Sequence, residues 1–409
     1  MSTWSDRAYT VFEEQQRDRG IDISAVKARL KELKIETPSW GYGDSGTRFK
    51  VFRRVGVPRD PYEKMNDAAV VNQLTGACPS VAIHIPWDLV DDFAQLQSHA
   101  ESLGLRIGAV NPNVFQDDDY MLGSVCNADP KIRRKATDHL LLCVDIMKQV
   151  GSDILSLWFA DGTNYPGQGH IRHRKHWLYE ALQETYQALE PSMRMLIEYK
   201  FFEPGFYHTD LADWGMAYNM AMKLGPQAQV LVDTGHHAPG TNVEHIVATL
   251  LDEAKLGGFH FNSRKYADDD LIVGATNPYE LFLIFYQMLD ARLSENRAVQ
   301  DTVSNIAYMI DQSHAIEPKI PAMIRSVQNI QTQYAKALLI NHDELRETQA
   351  KNDVLAAENA VRSAYEFDVT PLLLAIREEE GLPADPMQVY LKSDYGKAIE
   401  SRGVGGSSW

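Results

Sequence analysis

The feature that most constrains the fold of this chain is a repeated alternation of short apolar runs with longer helical patterns after residue 79. The runs are apolar on both faces, which is typical of parallel strands that are covered on two sides. The predicted strands are Ser80–Ile85, Arg106–Val110, Asp153–Phe159, Met195–Tyr199, Gln229–Val232, Gly258–Phe261 and Asn305–Ile310. The predicted helices are Leu89–Leu103, Lys131–Val150, His176–Leu189, Leu211–Leu224, Val243–Lys255 and Pro278–Leu293. This alternation predicts a parallel α/β fold.

An eighth strand would close such a sheet into a (β/α)8 barrel, and Trp40–Gly43 is the candidate for it. We expect a helical segment at 1–36, the barrel at 37–320, a helical extension at 321–400 and a flexible tail at 401–409. Within the barrel segment, residues 37–66 are rich in Gly, Pro and Arg and are predicted to be loop. The tail is rich in Gly and Ser.

The charge balance argues against nucleic acid as a partner. The 409 residues include 40 Lys and Arg against 56 Asp and Glu, a net charge of −16, which opposes contact with phosphate backbones. The sequence has no long uninterrupted apolar stretch, and its first residues lack the apolar middle of a signal peptide. We therefore expect a cytoplasmic protein without a membrane partner. Cys78, Cys126 and Cys143 lack CxxC spacing and are predicted to be buried, reduced thiols.

Four residues of the metal-ligand type lie in or directly after predicted strands. They are Glu198, Asp233, His260 and Asp311. Because the carboxyl ends of the strands of a parallel barrel meet at one mouth, we expect these side chains to converge. Taken singly, a strand-end acid is more often a helix cap or a surface ion pair, and a histidine between two phenylalanines is usually a core residue. The set of four favours a site for a divalent cation such as Mn²⁺, Mg²⁺ or Co²⁺.

A second group follows the same strands. His236 lies three residues after Asp233, and Asp268 and Asp270 lie shortly after His260. In an extended loop, residues two apart point the same way, so the two aspartates can converge. An acidic, solvated loop is the alternative interpretation, and spacing alone does not decide between His236 and His237 as the ligand.

Weaker candidates line the ends of other strands. His84, Trp87, Phe115 and Trp158 could contact a sugar through aromatic faces or a ring nitrogen, although core packing explains each of them singly. Lys200 lies two residues after Glu198 and should share its side of the strand. The chain has no GxGxxG, no GxxxxGK[ST] and no GxSxG motif, so nucleotide binding and serine hydrolysis find no support.

Four segments resemble the L-rhamnose isomerase family, and most closely its bacterial branch of broad sugar specificity. They are Gly-Asp-Ser-Gly-Thr-Arg-Phe at 43–49, Val-Asp-Thr-Gly-His-His-Ala-Pro-Gly-Thr-Asn at 232–242, Phe-Asn-Ser-Arg-Lys-Tyr-Ala-Asp-Asp-Asp-Leu at 261–271 and Met-Ile-Asp-Gln-Ser-His at 309–314. The resemblance covers roughly residues 35 to 395. It implies a xylose-isomerase-like (β/α)8 barrel that interconverts L-rhamnose and L-rhamnulose.

The resemblance also implies roles for individual residues. A structural metal would be held by Glu198, Asp233, His260 and Asp311, and a catalytic metal by His236, Asp268 and Asp270. Substrate binding would fall to Trp87, Phe115, Trp158, Lys200 and Phe49. Catalysis would fall to Asp311, His84, Lys200 and His236. The implied cofactor is Mn²⁺, two divalent ions per subunit, with Co²⁺, Mg²⁺ or Zn²⁺ at one site. Phe49 would serve the neighbouring subunit of a homotetramer.

Two other classes remain open on the sequence alone. A ketose 3-epimerase or a metal-dependent phosphodiester hydrolase could use a similar barrel, although a hydrolase of this kind favours a basic groove. A non-catalytic sugar- or metal-binding protein would bind ligand without turnover.

Overall fold

Eight parallel strands close into a barrel in the computed structural model, which describes residues 3–46, 50–203 and 205–405. The strands are β1 Glu36–Pro38, β2 Ser80–Ile85, β3 Arg106–Pro112, β4 Ile154–Leu157, β5 Arg194–Glu198, β6 Ala228–Asp233, β7 Leu256–Phe261 and β8 Ala307–Ile310. Strand β1 pairs with both β2 and β8, and this double pairing closes the sheet. The predicted fold class is confirmed.

Helices surround the barrel and extend it at both ends of the chain. They are α1 Thr3–Asp18, α2 Ile23–Glu32, α3 Pro61–Thr75, α4 Phe93–Ser102, α5 Pro130–Val150, α6 Ile171–Gln187, α7 Trp214–Leu224, α8 Val243–Asp252, α9 Pro278–Ala291, α10 Arg297–Ser304, α11 Lys319–Ala337, α12 His342–Ala350, α13 Val354–Glu366, α14 Thr370–Glu379, α15 Pro386–Lys392 and α16 Tyr395–Ile399. Several begin at an Asp or Asn whose side chain accepts a backbone N–H of the first turn, for example Asp129 at α5 and Asn277 at α9. No helix among the described residues is both long and apolar enough to cross a bilayer.

The strand predicted at Trp40–Gly43 begins four residues earlier in the structure. The chain forms β1 at Glu36–Pro38, and Ser39–Tyr42 is a 3-10 turn rather than a strand. A proline lacks the N–H that a strand interior needs, so Pro38 ends the strand and the chain turns there. Tyr42 is nonetheless fully buried in the main core, which explains why its apolar surroundings resemble a strand.

A bulge in β3 is capped from β1. The pairing of β2 with β3 slips between Val81 and Ile83, and the backbone N–H of Ala109 instead donates to Glu36 Oε1 at 2.8 Å. A Cβ on Gly108 would lie 1.5 Å from Glu36 Oε2, so only glycine leaves room for this carboxylate. The amino-terminal end of the barrel thus buries an acid that accepts a backbone hydrogen bond from β3.

The segment that precedes β2 is more helical than expected. Residues 37–66 are predicted to be loop, but α3 begins at Pro61. Its start carries ordinary signals, because Asp60 accepts the N–H of Glu63 and a proline occupies the first turn, where it costs no hydrogen bond. The prediction is therefore wrong for the last six residues of that range.

The carboxyl-terminal part consists mainly of helices α11 to α16, and the chain then returns to α3. Glu400–Arg402 form a 3-10 turn, and Arg402 donates to both carboxylate oxygens of the buried Asp67 at 2.9 Å. Gly56 N–H also donates to Gly403 O. These contacts tie residues 402 and 403 to the barrel, the flexible tail stays a prediction, and residues 406–409 lie outside the described residues.

Candidate metal centre and active site

The four strand-end residues meet at the carboxyl-terminal mouth of the barrel. One ligand atom from each of Glu198, Asp233, His260 and Asp311 lies within 4.8 Å of those of the other three. His260 Nδ1 is 3.2 Å from Glu198 Oε2, 3.7 Å from Asp311 Oδ2 and 4.0 Å from Asp233 Oδ2. The structure therefore brings together the residues predicted for the first group.

The electrostatics of this group are dominated by closely spaced, buried carboxylates. Burial raises the pKa of Asp233 and of Asp311 above the usual value, and the neighbouring carboxylates raise it further. Burial opposes a charged imidazole, but Glu198 and the two aspartates outweigh it and raise the pKa of His260 to about 9. Neither ring nitrogen of His260 makes a hydrogen bond of good geometry. Three acids around an unpartnered imidazole fit a divalent cation.

The second group shares Asp233 with the first. One ligand atom from each of Asp233, His236 and Asp268 lies within 4.8 Å of the others, and His236 Nε2 is 3.3 Å from Asp268 Oδ1. His236 Nδ1 lies 3.0 Å from the carbonyl oxygen of Tyr199, which only accepts, so Nδ1 carries the proton and Nε2 faces the carboxylates. This tautomer is the one a metal-binding histidine needs.

His237 takes a different position. Its Nε2 is 2.7 Å from the hydroxyl oxygen of Tyr199, away from both groups. Burial, followed by the charges of Arg264 and His236, lowers the pKa of His237 to about 3. Of the two adjacent histidines, the geometry therefore brings His236 into the acidic group.

Asp233 is oriented by its own loop. Its Oδ1 accepts the N–H of Gly235 at 2.5 Å and the side-chain amide of Asn262 at 3.0 Å. Its Oδ2 faces both histidines, 3.9 Å from His236 Nε2 and 4.0 Å from His260 Nδ1. One carboxylate oxygen therefore lies between the two groups.

Asp270 lies beside the second group without joining it. Within the described parts of the chain it belongs to neither set of mutually close ligand atoms, but it lines the same cavity and accepts from Asn262 at 3.3 Å. Burial and the adjacent Asp268 raise its pKa well above the usual value. Its φ of +45° is an uncommon conformation for an aspartate, which often marks a functional position.

Lys200 bridges the second group to a residue that the motifs did not single out. Its Nζ donates to Asp268 Oδ2 at 2.6 Å and to Glu203 Oε2 at 2.5 Å, and it lies 5.0 Å from the centre of the Trp158 ring. Burial opposes the charged ammonium, but the two carboxylates outweigh it and raise the pKa of Lys200 above its usual value.

Aromatic side chains form the opposite wall of the site. His84 stacks on Trp87 with ring centres 3.9 Å apart, and Phe115 meets Trp158 edge to face at 4.8 Å. Burial and the positive charge of Lys64 lower the pKa of His84 well below its usual value, so the ring is neutral near pH 7. The structure thus brings all four predicted aromatic residues into one wall.

A cavity of about 290 Å³ separates this wall from the acidic groups. Several buried polar atoms of its lining make no hydrogen bond of good geometry: His84 Nδ1, Ser156 Oγ, Trp158 Nε1, His260 Nδ1 and Nε2, and Asp268 Oδ1. Buried polar groups in native proteins are almost always paired. Their concentration at one cavity indicates a site built for a polar ligand and a cation.

Sequence reasoning missed Trp40, Glu203 and Asn262. The indole N–H of Trp40 donates to Asp311 Oδ1 at 2.6 Å, and Trp40 lies in a 3-10 turn where the sequence predicts a strand. Asn262 directly follows β7, at the carboxyl end of a strand, which is the position where a barrel is expected to place its site residues. The prediction at strand ends considered acids and histidines, and an asparagine falls outside it. Phe49, predicted to serve a neighbouring subunit, lies outside the described residues.

The carboxylates of a third acidic group already have partners within the protein. Cys126, Asp161 and Asp210 lie close together, but Asp161 accepts three hydrogen bonds from residues 124–126 and Asp210 pairs with the buried Arg174 at 2.7 Å. These hydrogen bonds and the ion pair already occupy the carboxylate oxygens, so the group is explained by the loops that it stabilises.

Comparison with known proteins agrees with this geometry. A family model described as xylose isomerase-like TIM barrel matches residues 77–274. A probable sugar isomerase of Rhizobium meliloti (strain 1021) is 41% identical over 394 residues, which cover 95% of this chain and 90% of that protein. The chain belongs to the same family as this probable sugar isomerase, and its fold is a xylose isomerase-like TIM barrel.

Two further proteins are similar to this chain, one in sequence and one in fold. A probable sugar isomerase of Mesorhizobium japonicum (strain LMG 29417 / CECT 9101 / MAFF 303099) is 40% identical over 395 residues, 95% of this chain and 90% of that protein. A solved L-ribulose 3-epimerase shares the fold, with a TM-score of 0.56 and 11% identity over 79% of this chain and 98% of that one. The chain is thus a relative of probable sugar isomerases, and the resemblance to L-rhamnose isomerases in particular stays a prediction.

Proposed function

We propose that this protein is a metal-dependent aldose–ketose isomerase that interconverts L-rhamnose and L-rhamnulose, and related aldoses, by hydrogen transfer between C1 and C2. The observation that carries the proposal is the pair of acidic groups that share Asp233 at the floor of one cavity. The relatedness to probable sugar isomerases over nearly the whole chain supports the reaction class. The motifs at 232–242, 261–271 and 309–314 support the choice of sugar.

The proposed cofactor is Mn²⁺, with two divalent ions per subunit. Glu198, Asp233, His260 and Asp311 would hold one ion, and His236 and Asp268 would hold the other with Asp270 beside it. Divalent ions at such positions supply Lewis acidity that polarises the oxygens of an open-chain sugar. Co²⁺, Mg²⁺ or Zn²⁺ would suit the more open second site.

The remaining residues bind and orient the sugar. Trp87, Phe115 and Trp158 offer apolar faces to the carbon skeleton. His84 is neutral and has an unpartnered Nδ1 at the cavity, so it can exchange a hydrogen bond or a proton with a ring oxygen during ring opening. Lys200 keeps an N–H for a substrate oxygen after pairing with two acids.

Two routes for the hydrogen remain compatible with this arrangement. It moves as a hydride directly from one carbon to the other, or as a proton through an enediol with a group near Asp311 as the shuttle. Turnover in D₂O separates them, because the proton route places solvent deuterium at the receiving carbon. Appreciable deuterium there excludes a pure hydride shift.

We further propose a homotetramer in which Phe49 completes the site of a neighbouring subunit. The proposal rests on the resemblance of residues 43–49 to the family motif. Sedimentation equilibrium measures the mass of the assembly, and a monomer that is fully active contradicts the proposal.

The decisive experiment is a panel of aldoses and ketoses, assayed with purified protein before EDTA treatment, after it, and after Mn²⁺ is restored. The isomerase predicts aldose–ketose conversion that EDTA abolishes and Mn²⁺ restores, with L-rhamnose among the best substrates. Conversion of one ketose into its C3 epimer, without aldose, would show an epimerase instead. Sugar binding without any turnover would show a binding protein.

A further inference from the structure

We infer that Glu203 is a positioning residue for the substrate, acting through the ammonium group of Lys200. The inference rests on the proposed function and deepens it, because neither the motifs nor the strand-end rule assigns Glu203 a role. Glu203 lines the cavity, and its Oε2 lies 2.5 Å from Lys200 Nζ.

The ammonium of Lys200 is held between two carboxylates on different loops. Asp268 Oδ2 accepts one N–H at 2.6 Å, Glu203 Oε2 accepts another, and the aromatic ring of Trp158 lies 5.0 Å from the nitrogen. The side chain of Lys200 is only 4% exposed. An ammonium has three donors, so pairing with the two carboxylates leaves one N–H for a further acceptor.

Glu203 is itself held in place by its backbone. It forms an isolated antiparallel bridge with Phe206, whose N–H donates to Glu203 O at 2.7 Å. Its carboxylate contacts Lys200, which follows Glu198 at the end of β5. A lysine side chain has many rotamers, and two fixed acceptors remove most of that freedom before a substrate arrives.

The same arrangement fixes the orientation of Asp268. Its Oδ2 is occupied by Lys200, so its Oδ1 is the oxygen that faces His236 Nε2 at 3.3 Å. Lys200 therefore connects the sugar pocket to the second acidic group, and Glu203 holds Lys200 from the opposite side. We expect Glu203 to act on sugar affinity more than on the chemical step, because it restrains a group that binds the substrate before and during reaction.

Reach and charge can be separated by two substitutions. Glu203→Asp keeps the charge but is shorter by one methylene group, so its carboxylate falls short of Lys200 Nζ. Glu203→Gln keeps the reach and an accepting oxygen but loses the charge. As a matched control, Glu379→Asp shortens an acid that pairs with Lys27 and Lys31 on the surface, outside the cavity lining.

The measurement is the Kd of L-rhamnitol, the alditol that cannot react, by calorimetry on protein loaded with Mn²⁺, together with KM and kcat for L-rhamnose. We expect Glu203→Asp to raise Kd and KM by about tenfold or more with little change in kcat, as for the loss of a charge-assisted hydrogen bond. Glu203→Gln should recover most of the affinity, and Glu379→Asp should match the wild type. The Mn²⁺ stoichiometry and the melting temperature should stay at wild-type values.

A double substitution tests whether the effect passes through Lys200. In a Lys200→Met background, Glu203→Asp should change the Kd of L-rhamnitol by less than about twofold, because the group it positions is absent. An equal effect in both backgrounds, or a Glu203→Asp variant with wild-type Kd and KM, overturns the role of Glu203. Wild-type protein that binds L-rhamnitol but turns over no aldose instead contradicts the proposed function and leaves the Kd comparison valid.

Discussion

The two ends of the barrel bury similar charged groups in opposite ways. At the amino-terminal end, Glu36 accepts the N–H of Ala109, and Arg194 donates to Asn305 O at 2.8 Å and to Gln229 Oε1 at 3.1 Å. At the mouth, three acids surround His260, whose ring nitrogens make no hydrogen bond of good geometry.

The difference teaches that buried charge alone does not mark a functional site. Burial raises the pKa of Glu36 at one end and of Asp311 at the other. Between these two ends, as far as the described residues go, it is the mouth that combines such acids with unpartnered atoms and a cavity, which is where barrel enzymes place their chemistry. Hydrogen-bonded charged groups at the amino-terminal end stabilise the fold, and the unpartnered groups at the mouth mark the candidate site.

The largest effect that can break this comparison is expected at Asp233. Asp233→Asn keeps the shape of the side chain but removes the charge that lies between both histidines. We expect turnover to fall by more than about a hundredfold and the rise in melting temperature caused by Mn²⁺ to disappear, since cation binding is linked to folding. Steady-state kinetics measures the first effect, and calorimetry with and without Mn²⁺, together with metal analysis, measures the second. Full metal content with an unchanged melting temperature removes Asp233 from the ligand set.

The next effect separates two adjacent histidines. His236→Ala removes the imidazole whose Nε2 faces Asp268, and we expect turnover to fall by about a hundredfold while the fold is kept. His237→Ala, its matched control, removes only the partner of the Tyr199 hydroxyl and should retain more activity. Steady-state kinetics and circular dichroism of both variants test this order. If His237→Ala is the more damaged of the two, the assignment of His236 is wrong.

A smaller effect is expected at Trp40. Trp40→Phe keeps the ring but removes the N–H that donates to Asp311 Oδ1 at 2.6 Å. A hydrogen bond to a charged group contributes about 1.5–3 kcal/mol, so we expect kcat to fall by about tenfold or somewhat more. Kinetics at saturating Mn²⁺ check this value. A wild-type kcat would show that Asp311 needs no donor.

The smallest effect is expected at the amino-terminal end of the barrel and concerns stability alone. Burial raises the pKa of Glu36, so its contribution to stability is present below the unfolded pKa near 4.5 and is lost as the pH rises through the folded value. Glu36→Gln cannot ionise, so its free energy of unfolding relative to wild type should increase with pH across that window and then level off. Urea unfolding at several pH values measures this, and Mn²⁺ binding should not change. A difference that is independent of pH contradicts the raised pKa.

Much of the barrel follows from local patterns, because a strand that is covered on both faces must be apolar throughout. Strand β2 has the predicted bounds for this reason. Strand β1 escapes the rule, since Glu36 is acceptable in it only because the bulge near Gly108 provides a distant N–H. A contact between residues so far apart in the sequence cannot be recognised from the residues that flank Glu36.

The candidate site divides along the same line. Residues on strand ends are found by position, and the structure places Glu198 and His260 together as expected. The orientation of individual side chains depends on contacts that spacing does not encode, such as the carbonyl of Tyr199 that fixes the tautomer of His236. Glu203 was missed because its loop carries no strand pattern.

The return of the chain onto α3 has a consequence for synthesis on the ribosome. Asp67 is 2% exposed, and its guanidinium partner, Arg402, is 335 residues further along the chain. Until that arginine has been translated, α3 carries a carboxylate that must stay hydrated or protonated, so this helix cannot adopt its final packing early. Burial of Asp67 is thereby delayed until residue 402 has been translated and its counter-charge exists.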